Sequence, residues 1–272
     1  MMLTTYSQCY NKQDGRMSFP LIYCNGCSYS NENYHPELKG NVFADFVAQP
    51  FNGFVVNKSI NGSCNRRILR TSTHDLILQR QLNPDQDIIA LISLTFDMRS
   101  EVWVDDVTAD LPEETNFRTH NFSEQNNWRE NLLNNKDIGT DNFFNLNKKF
   151  LKKYSEGRAF FYSPYAERIN LYNDLIALKS LLELHNIKFL IFRSVLPRKV
   201  ESEYLMDFFE KELNKDKRII DIDNFGWLTW ASEHFTPLDF IDNPTIGHYG
   251  KDAHKSFAES ILLPLLEETK QI

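Results

Sequence analysis

Residues 87–94 read DIIALISL, and this run decides the fold. Ile88-Ile89-Ala90-Leu91-Ile92 leaves no polar face. A strand with one side in water alternates apolar and polar residues, so an unbroken run predicts a strand covered on both faces, as in a parallel sheet between helices. Phe189-Leu190-Ile191-Phe192 and Ile219-Ile220 have the same character. The candidate strands are Phe19–Cys24, Gly53–Asn57, Asp87–Leu94, Lys188–Arg193 and Arg218–Ile222. Helical patterns lie between them. Cys64–Leu82 carries Ile68, Leu69, Leu76 and Ile77. Tyr165–His185 carries Ile169, Tyr172, Ile176, Leu178 and Leu182 at three- and four-residue spacing. The tail from Lys251 carries Phe257, Ile261, Leu262 and Leu265, with Pro264 predicting a kink or break. Strands alternating with helices predict α/β architecture: a three-layer α/β/α sandwich on five parallel strands in flavodoxin-like order 2-1-3-4-5, joined by right-handed crossovers.

One domain is expected over residues 1–272, with an insertion at about 96–157. That segment is rich in Asn, Asp and Glu, holds Trp103 and Trp128, and shows no strand pattern. So long a departure from the rhythm predicts an insertion over a functional face, or else a helical excursion that packs on the domain.

Composition narrows the class. The chain has 272 residues, 42% hydrophobic and 25% charged, values of an ordinary globular protein. A formal net charge of −7 disfavours nucleic acid or an anionic membrane surface as partner. No apolar stretch in MMLTTYSQCYNKQDGRMSF has the length of a signal-peptide core. No run approaches the roughly 20 apolar residues of a membrane helix. Four cysteines in a chain this long do not suggest a disulfide framework. The expectation is a soluble, cytoplasmic protein with reduced thiols, no cofactor and no metal.

Parallel sheets place their sites beyond the carboxyl ends of the strands. The first strand ends in Gly26-Cys27-Ser28-Tyr29-Ser30, the second in Asn57-Lys58-Ser59-Ile60-Asn61-Gly62, and the third in Ser93-Leu94-Thr95-Phe96-Asp97-Met98-Arg99. Near the C-terminus comes GHYGKDAHKSFAESI, residues 247–261.

In this order the segments resemble the SGNH (GDSL-type) hydrolase superfamily of esterases, lipases and carbohydrate-ester deacylases. Gly26-Cys27-Ser28-Tyr29-Ser30 resembles its G-D-S-x-S/T block, with Cys27 in the Asp position. Asn57 to Gly62 resembles N-x-S-x-x-G. The third block, G-x-N-D, matches poorly; with Ser93 in first place, Thr95 falls on the oxyanion-hole asparagine. His248, followed by Ala253-His254 and Ala258, keeps the spacing of the last block.

The resemblance implies Ser28 as nucleophile, His248 as its base, and an oxyanion hole formed by the N–H groups of Ser28 and Gly62 and the hydroxyl of Thr95. A serine hydroxyl needs a base of near-neutral pKa to become nucleophilic, and the oxyanion of ester cleavage needs preorganised donors. The family's aspartate stands three residues before the histidine, where this chain has Thr245. Asp242 is the expected orienting carboxylate, with Asp239 or a backbone carbonyl as substitutes. The implied substrate is a small-molecule or carbohydrate ester.

Other readings stay open. Ser28 is also placed to cap a helix, Gly62 to make a turn, and His254 to begin a helix structurally. Asp97 or Arg99 could be the functional group of the third strand end. Cys24-Asn25-Gly26-Cys27 is a CxxC motif, and Cys27, Cys64 and His248 could converge on a metal. A non-catalytic SGNH-like domain binding a glycan or protein partner is the alternative to an enzyme.

Overall fold

The computed structural model describes residues 19–97, 99–103, 117–121, 164–197, 204–238 and 247–269. Among these, six strands form: β1 (Leu21–Asn25), β2 (Phe54–Asn57), β3 (Ile88–Leu94), β4 (Arg99–Trp103), β5 (Phe117–Asn121) and β6 (Lys188–Arg193). The helices are α1 (Phe43–Ala48), α2 (Asn65–Leu82), α3 (Pro164–Leu184), α4 (Tyr204–Asn214), α5 (Trp227–His234), α6 (Lys251–Phe257) and α7 (Leu263–Glu268).

The main sheet is parallel, in the order β2-β1-β3-β6. Leu21 faces Phe54 on one side and Ile88 on the other, and Ile89 faces Lys188 across the next pair. Every residue of β1 and β3 is buried, as their unbroken apolar runs require.

The strand period of two splits those residues between two cores. Ile22, Cys24, Ile89, Leu91, Leu190 and Phe192 pack against α1, α5, α6 and α7 through Phe43, Val47, Trp227, Phe257 and Leu266. Leu21, Tyr23, Ile88, Ala90, Ile92, Phe189 and Ile191 face α2, α3 and α4 through Ile68, Leu76, Leu175, Leu178, Leu182 and Leu213. Leu171, Leu175, Leu178 and Leu182 recur at helical spacing, which turns one stripe of α3 onto the sheet. Each such side chain contributes roughly 1.5–3 kcal/mol by leaving water. The result is an α/β/α sandwich in flavodoxin-like order.

Two expectations need correction. The sheet has four laddered strands among the described residues, where five were expected. The segment Arg218–Ile222 meets β6 through a single parallel bridge, Ile191 with Ile219. Ile191 N–H donates to Arg218 O and Ile220 N–H to Ile191 O, both at 2.8 Å. The Asp221 carbonyl then accepts from Asn224 N–H (3.1 Å) and Phe225 N–H (2.8 Å), and this turn takes the chain away before a ladder can grow.

The second correction lies in the insertion, where no strand was expected. β4 and β5 pair antiparallel there, Arg99 with Asn121 and Trp103 with Phe117. A polar sequence such as FRTHN hides this from hydropathy, because the ladder is made by backbone groups that every residue carries. The rest of the insertion lies outside the described residues.

The C-terminal helix breaks where Pro264 predicts it. A π-helical turn, Ala258–Leu262, separates α6 from α7, with Pro264 in the first turn of α7. Proline has no N–H and its ring crowds the carbonyl four residues back, so the widened turn relieves both faults. No described helix is long and apolar enough to cross a membrane.

Candidate active site

The site is built from loops at the carboxyl ends of β1, β2, β3 and β6. After β1 the chain bends at Gly26 into a 3-10 turn, Ser28–Ser30, for which Cys27 is the N-cap residue. The glycine is a spatial necessity. A Cβ there would meet Ser30 Oγ at 2.6 Å and Ser93 Cβ at 3.1 Å. Ser28 follows with 7% of its surface exposed.

The loop after β2 is stitched to this turn. Lys58 N–H donates to Cys24 O (2.8 Å), Ile60 N–H to Gly26 O (3.2 Å) and Asn57 Nδ2 to Ser30 O (2.8 Å). Asn57 Oδ1 also accepts from Ser59 N–H at 3.0 Å. Asn57 therefore holds both loops at once. Gly62 sits at a turn with φ +73° and open space around its missing Cβ. What requires glycine at this position is the left-handed backbone.

Behind these loops β1 is locked to α2 through Asn25, a fully buried amide. Its Nδ2 lies within hydrogen-bond reach of Thr71 Oγ1 (2.8 Å), Ser72 Oγ (3.0 Å), Ile68 O (3.1 Å) and Tyr23 Oη (3.3 Å). Tyr23 in turn donates to Asp75 at 3.2 Å.

At the end of β3, Thr95 has no exposed surface. Asn65 grips its backbone: Thr95 N–H donates to Asn65 Oδ1 (2.7 Å) and Asn65 Nδ2 donates to Thr95 O (3.2 Å). Two residues on, Asp97 takes an ion pair from Arg193 Nη1 (2.7 Å) and another from Arg168 Nη2 (3.1 Å). Arg193 is fully buried at the end of β6, where its Nε also donates to Ile222 O at 2.6 Å. Tyr172 donates to Asp223 at 2.6 Å beside this pair. Burial and the Asp223 carboxylate push the Tyr172 phenol upward, so the proton stays on the tyrosine. Sequence reading considered Asp97 at this strand end but had no role for Arg168, Arg193 or Asn65. An Arg closing an apolar strand, Phe192-Arg193, was the available signal. A charge in that position needs a buried partner.

His248 approaches the same end from the C-terminal segment and is 2% exposed. Its carbonyl accepts from Leu238 N–H at 2.6 Å, and an antiparallel bridge joins Pro237 to Tyr249. The imidazole packs against Tyr29, the residue after Ser28, with ring centroids 4.8 Å apart. Two blocks at opposite ends of the chain thus meet at one strand end.

The remaining expected residues fall elsewhere. Asp242, Asp239 and Thr245 lie outside the described residues. His254 is structural: it lies in the middle of α6, fully buried, with Nδ1 accepting from Phe43 N–H at 3.3 Å. Burial, helped by nearby His248, pushes its pKa down to about 3, so it stays neutral. Cys64 caps α2, its Sγ accepting from Arg67 N–H at 3.5 Å. Cys24, Cys27 and Cys64 are free and buried. Burial pushes the Cys24 thiol far up, opposite to the depressed pKa of a redox CxxC cysteine. No group of three or more metal-ligating side chains gathers among the described residues.

No protein-family model matches the chain, and no curated protein matches it significantly. Among solved structures it is similar to the psychrotrophic esterase EstA from Pseudoalteromonas sp., in a crystal structure inhibited by monoethylphosphonate. The likeness has a TM-score of 0.42 and 8% identity, over 93% of this chain and 99% of that one.

Proposed function

We propose that this chain is a serine hydrolase that cleaves an ester, with Ser28 as nucleophile and His248 as its base. The observation that carries the reading is the packing of His248 on Tyr29, next to Ser28, at the carboxyl end of β1. In the proposed reaction a ring nitrogen of His248 takes the Ser28 Oγ proton as Oγ attacks the ester carbonyl. The imidazolium then returns the proton to the departing alkoxide, and water releases the acyl group from Ser28 by the same steps. The N–H groups of Ser28 and Gly62 and the hydroxyl of Thr95 are the proposed oxyanion donors, each worth roughly 3–4 kcal/mol of barrier. Asp242 is the proposed acceptor for the second ring nitrogen. Asp242→Asn should then lower kcat by several orders of magnitude. A fall of less than about tenfold, or roughly 1.4 kcal/mol, would assign that acceptor elsewhere.

A second reading, a non-catalytic domain of the same architecture that binds a glycan or protein partner, draws on the complete burial of Thr95. A fluorophosphonate probe separates the two. Labelling that disappears in Ser28→Ala, with turnover in a panel of short to long acyl esters and acetylated sugars, is the expected result. Folded protein that neither labels nor turns over any ester would sink the hydrolase and leave the binding module.

A further inference from the structure

The imidazole of His248 lies against two tyrosine rings supplied by the segment that follows β1. Tyr34 is stacked on it, with centroids 3.4 Å apart and planes inclined by 21°. Tyr29 stands at 4.8 Å and 31°. Tyr34 is half-buried and packs on the core. It hangs on the same hydrogen-bonded unit as Ser28. Asn31 N–H donates to Ser28 O (3.3 Å), Tyr34 N–H donates to Asn31 O (3.2 Å), and Asn33 N–H donates to Asn31 Oδ1 (2.9 Å). Asn31 Nδ2 then donates to Asn61 Oδ1 at 2.9 Å, fixing the unit to the loop that carries Gly62. On the other side, Glu37 accepts from Lys251 N–H at 3.1 Å and ties the segment to the start of α6.

We propose that Tyr34 is a positioning residue for His248, its ring holding the plane of the imidazole and favouring the imidazolium over the neutral base. The catalytic consequence rests on the reading of His248 as the base; the stacking contact does not. An aromatic face attracts a cation through its quadrupole, and the attraction grows when the pair is withdrawn from water, as it is here. A base that becomes imidazolium in mid-reaction gains from such a face as the proton arrives. The phenol oxygen is not needed for this, so the effect belongs to the ring.

Among the described residues, the titratable groups beside His248 include Tyr29 and Tyr34 from the segment after β1, His254 from α6, and Tyr249 next to it in the chain. Asp242, the proposed acceptor of its ring, lies outside those residues. His254, held down to about 3, does not titrate in the neutral range and so does not confuse the measurement. The other groups are the same in every Tyr34 variant.

NMR titration of the imidazole C–H signals in the full chain tests the proposal without any need for activity, with the His248 signal assigned by its loss in His248→Gln. Tyr34→Leu should lower the His248 midpoint by roughly 0.5–1 pH unit, while Tyr34→Phe stays within about 0.2 unit of the parent. On any ester turned over, Tyr34→Leu should lower kcat about tenfold with KM little changed, and Tyr34→Phe should restore it. A folded Tyr34→Leu protein with the parental midpoint overturns the proposal, and so does a Tyr34→Phe midpoint as low as that of Tyr34→Leu. Should Tyr34→Leu fail to fold, Tyr34→Trp decides: a midpoint at or above the parent supports the proposal, and a lower one overturns it. The expected shifts in a protein that no fluorophosphonate labels would keep the clamp and remove the hydrolase. Labelling without the shifts would do the reverse.

Discussion

Asn65 closes on the backbone of Thr95 from both sides, Oδ1 accepting from its N–H at 2.7 Å and Nδ2 donating to its carbonyl at 3.2 Å. This is the bond pattern a neighbouring strand would supply, made by one side chain at the point where β3 runs out. Asn65→Leu keeps most of the volume and leaves two buried backbone groups without that partner. The Thr95 carbonyl keeps Arg193 Nη1 at 3.5 Å, so the N–H bears the loss, expected at about 1–3 kcal/mol in urea unfolding. A loss under about 0.5 kcal/mol would show that the Thr95 backbone finds other partners easily.

Asp97 neutralises two guanidiniums, and its removal should cost more than that of any surface carboxylate. Arg193 has no exposed side-chain surface and Arg168 only 5%. Asp97→Asn keeps the shape and removes the carboxylate that pairs directly with both cations, leaving Asp223 as the nearby negative charge, with an expected loss of about 3–5 kcal/mol. Glu212→Gln is the control, because its partner Lys215 is exposed and such pairs are worth at most about 1 kcal/mol. Equal effects of the two substitutions would refute this account of the cluster.

His254 makes stability fall on acidification. Its pKa drops from an ordinary 6.5 to about 3 in the fold. Below pH 6.5 the unfolded chain takes up a proton that the folded chain refuses, so the stability His254 contributes is present above that pH and shrinks as pH falls toward 3. Asp45, its carboxyl pushed up from 3.8 to about 6 by burial, works in the opposite sense over part of this range. Comparing the parent with His254→Asn cancels Asp45. The stability gap between them should shift against the parent, with a slope approaching about 1.4 kcal/mol per pH unit below pH 6. A gap that stays constant from pH 7 to pH 5 would mean that His254 takes up its proton alike in the folded and the unfolded chain.

Gly26 and Gly62 should respond differently to alanine. At Gly26 the new methyl would press on Ser30 and Ser93, and overpacking of that kind costs about 1–3 kcal/mol and displaces the turn bearing Ser28. At Gly62 the methyl meets nothing within 4 Å, so the cost is that of the left-handed backbone, about 1–2 kcal/mol. Thermal unfolding measures both costs. Fluorophosphonate labelling should slow markedly in Gly26→Ala, and an unchanged labelling rate there would contradict the role given to Gly26.

Much of the scaffold was legible in the residues. β1, β3 and β6 lie buried on both faces along their middles, so their central runs had to be apolar, and Ile88–Ile92 announces itself. The extent of α2 and the break near Pro264 were equally plain, since helical periodicity and a missing N–H act within a few residues, but the π-helical form of that break was not. β4 and β5 were invisible for the converse reason: their pairing uses backbone groups, which leave no trace in hydropathy. The fifth strand was overread because apolar pairs such as Ile219-Ile220 announce burial but not the turn at Asp221 that ends pairing.

The sequence by itself determined that helices alternate with strands, and that Ser28, Asn57, Gly62 and Thr95 stand at or just beyond strand ends. These follow from periodicity and local backbone preference, which act over a few residues. Only the tertiary structure decided what meets what. Tyr34 on His248, Asn65 on Thr95, and Arg168 with Arg193 on Asp97 join residues far apart in the chain. Their contacts exist because the order β2-β1-β3-β6 brings the carboxyl ends of those strands side by side, and no local preference encodes that distance.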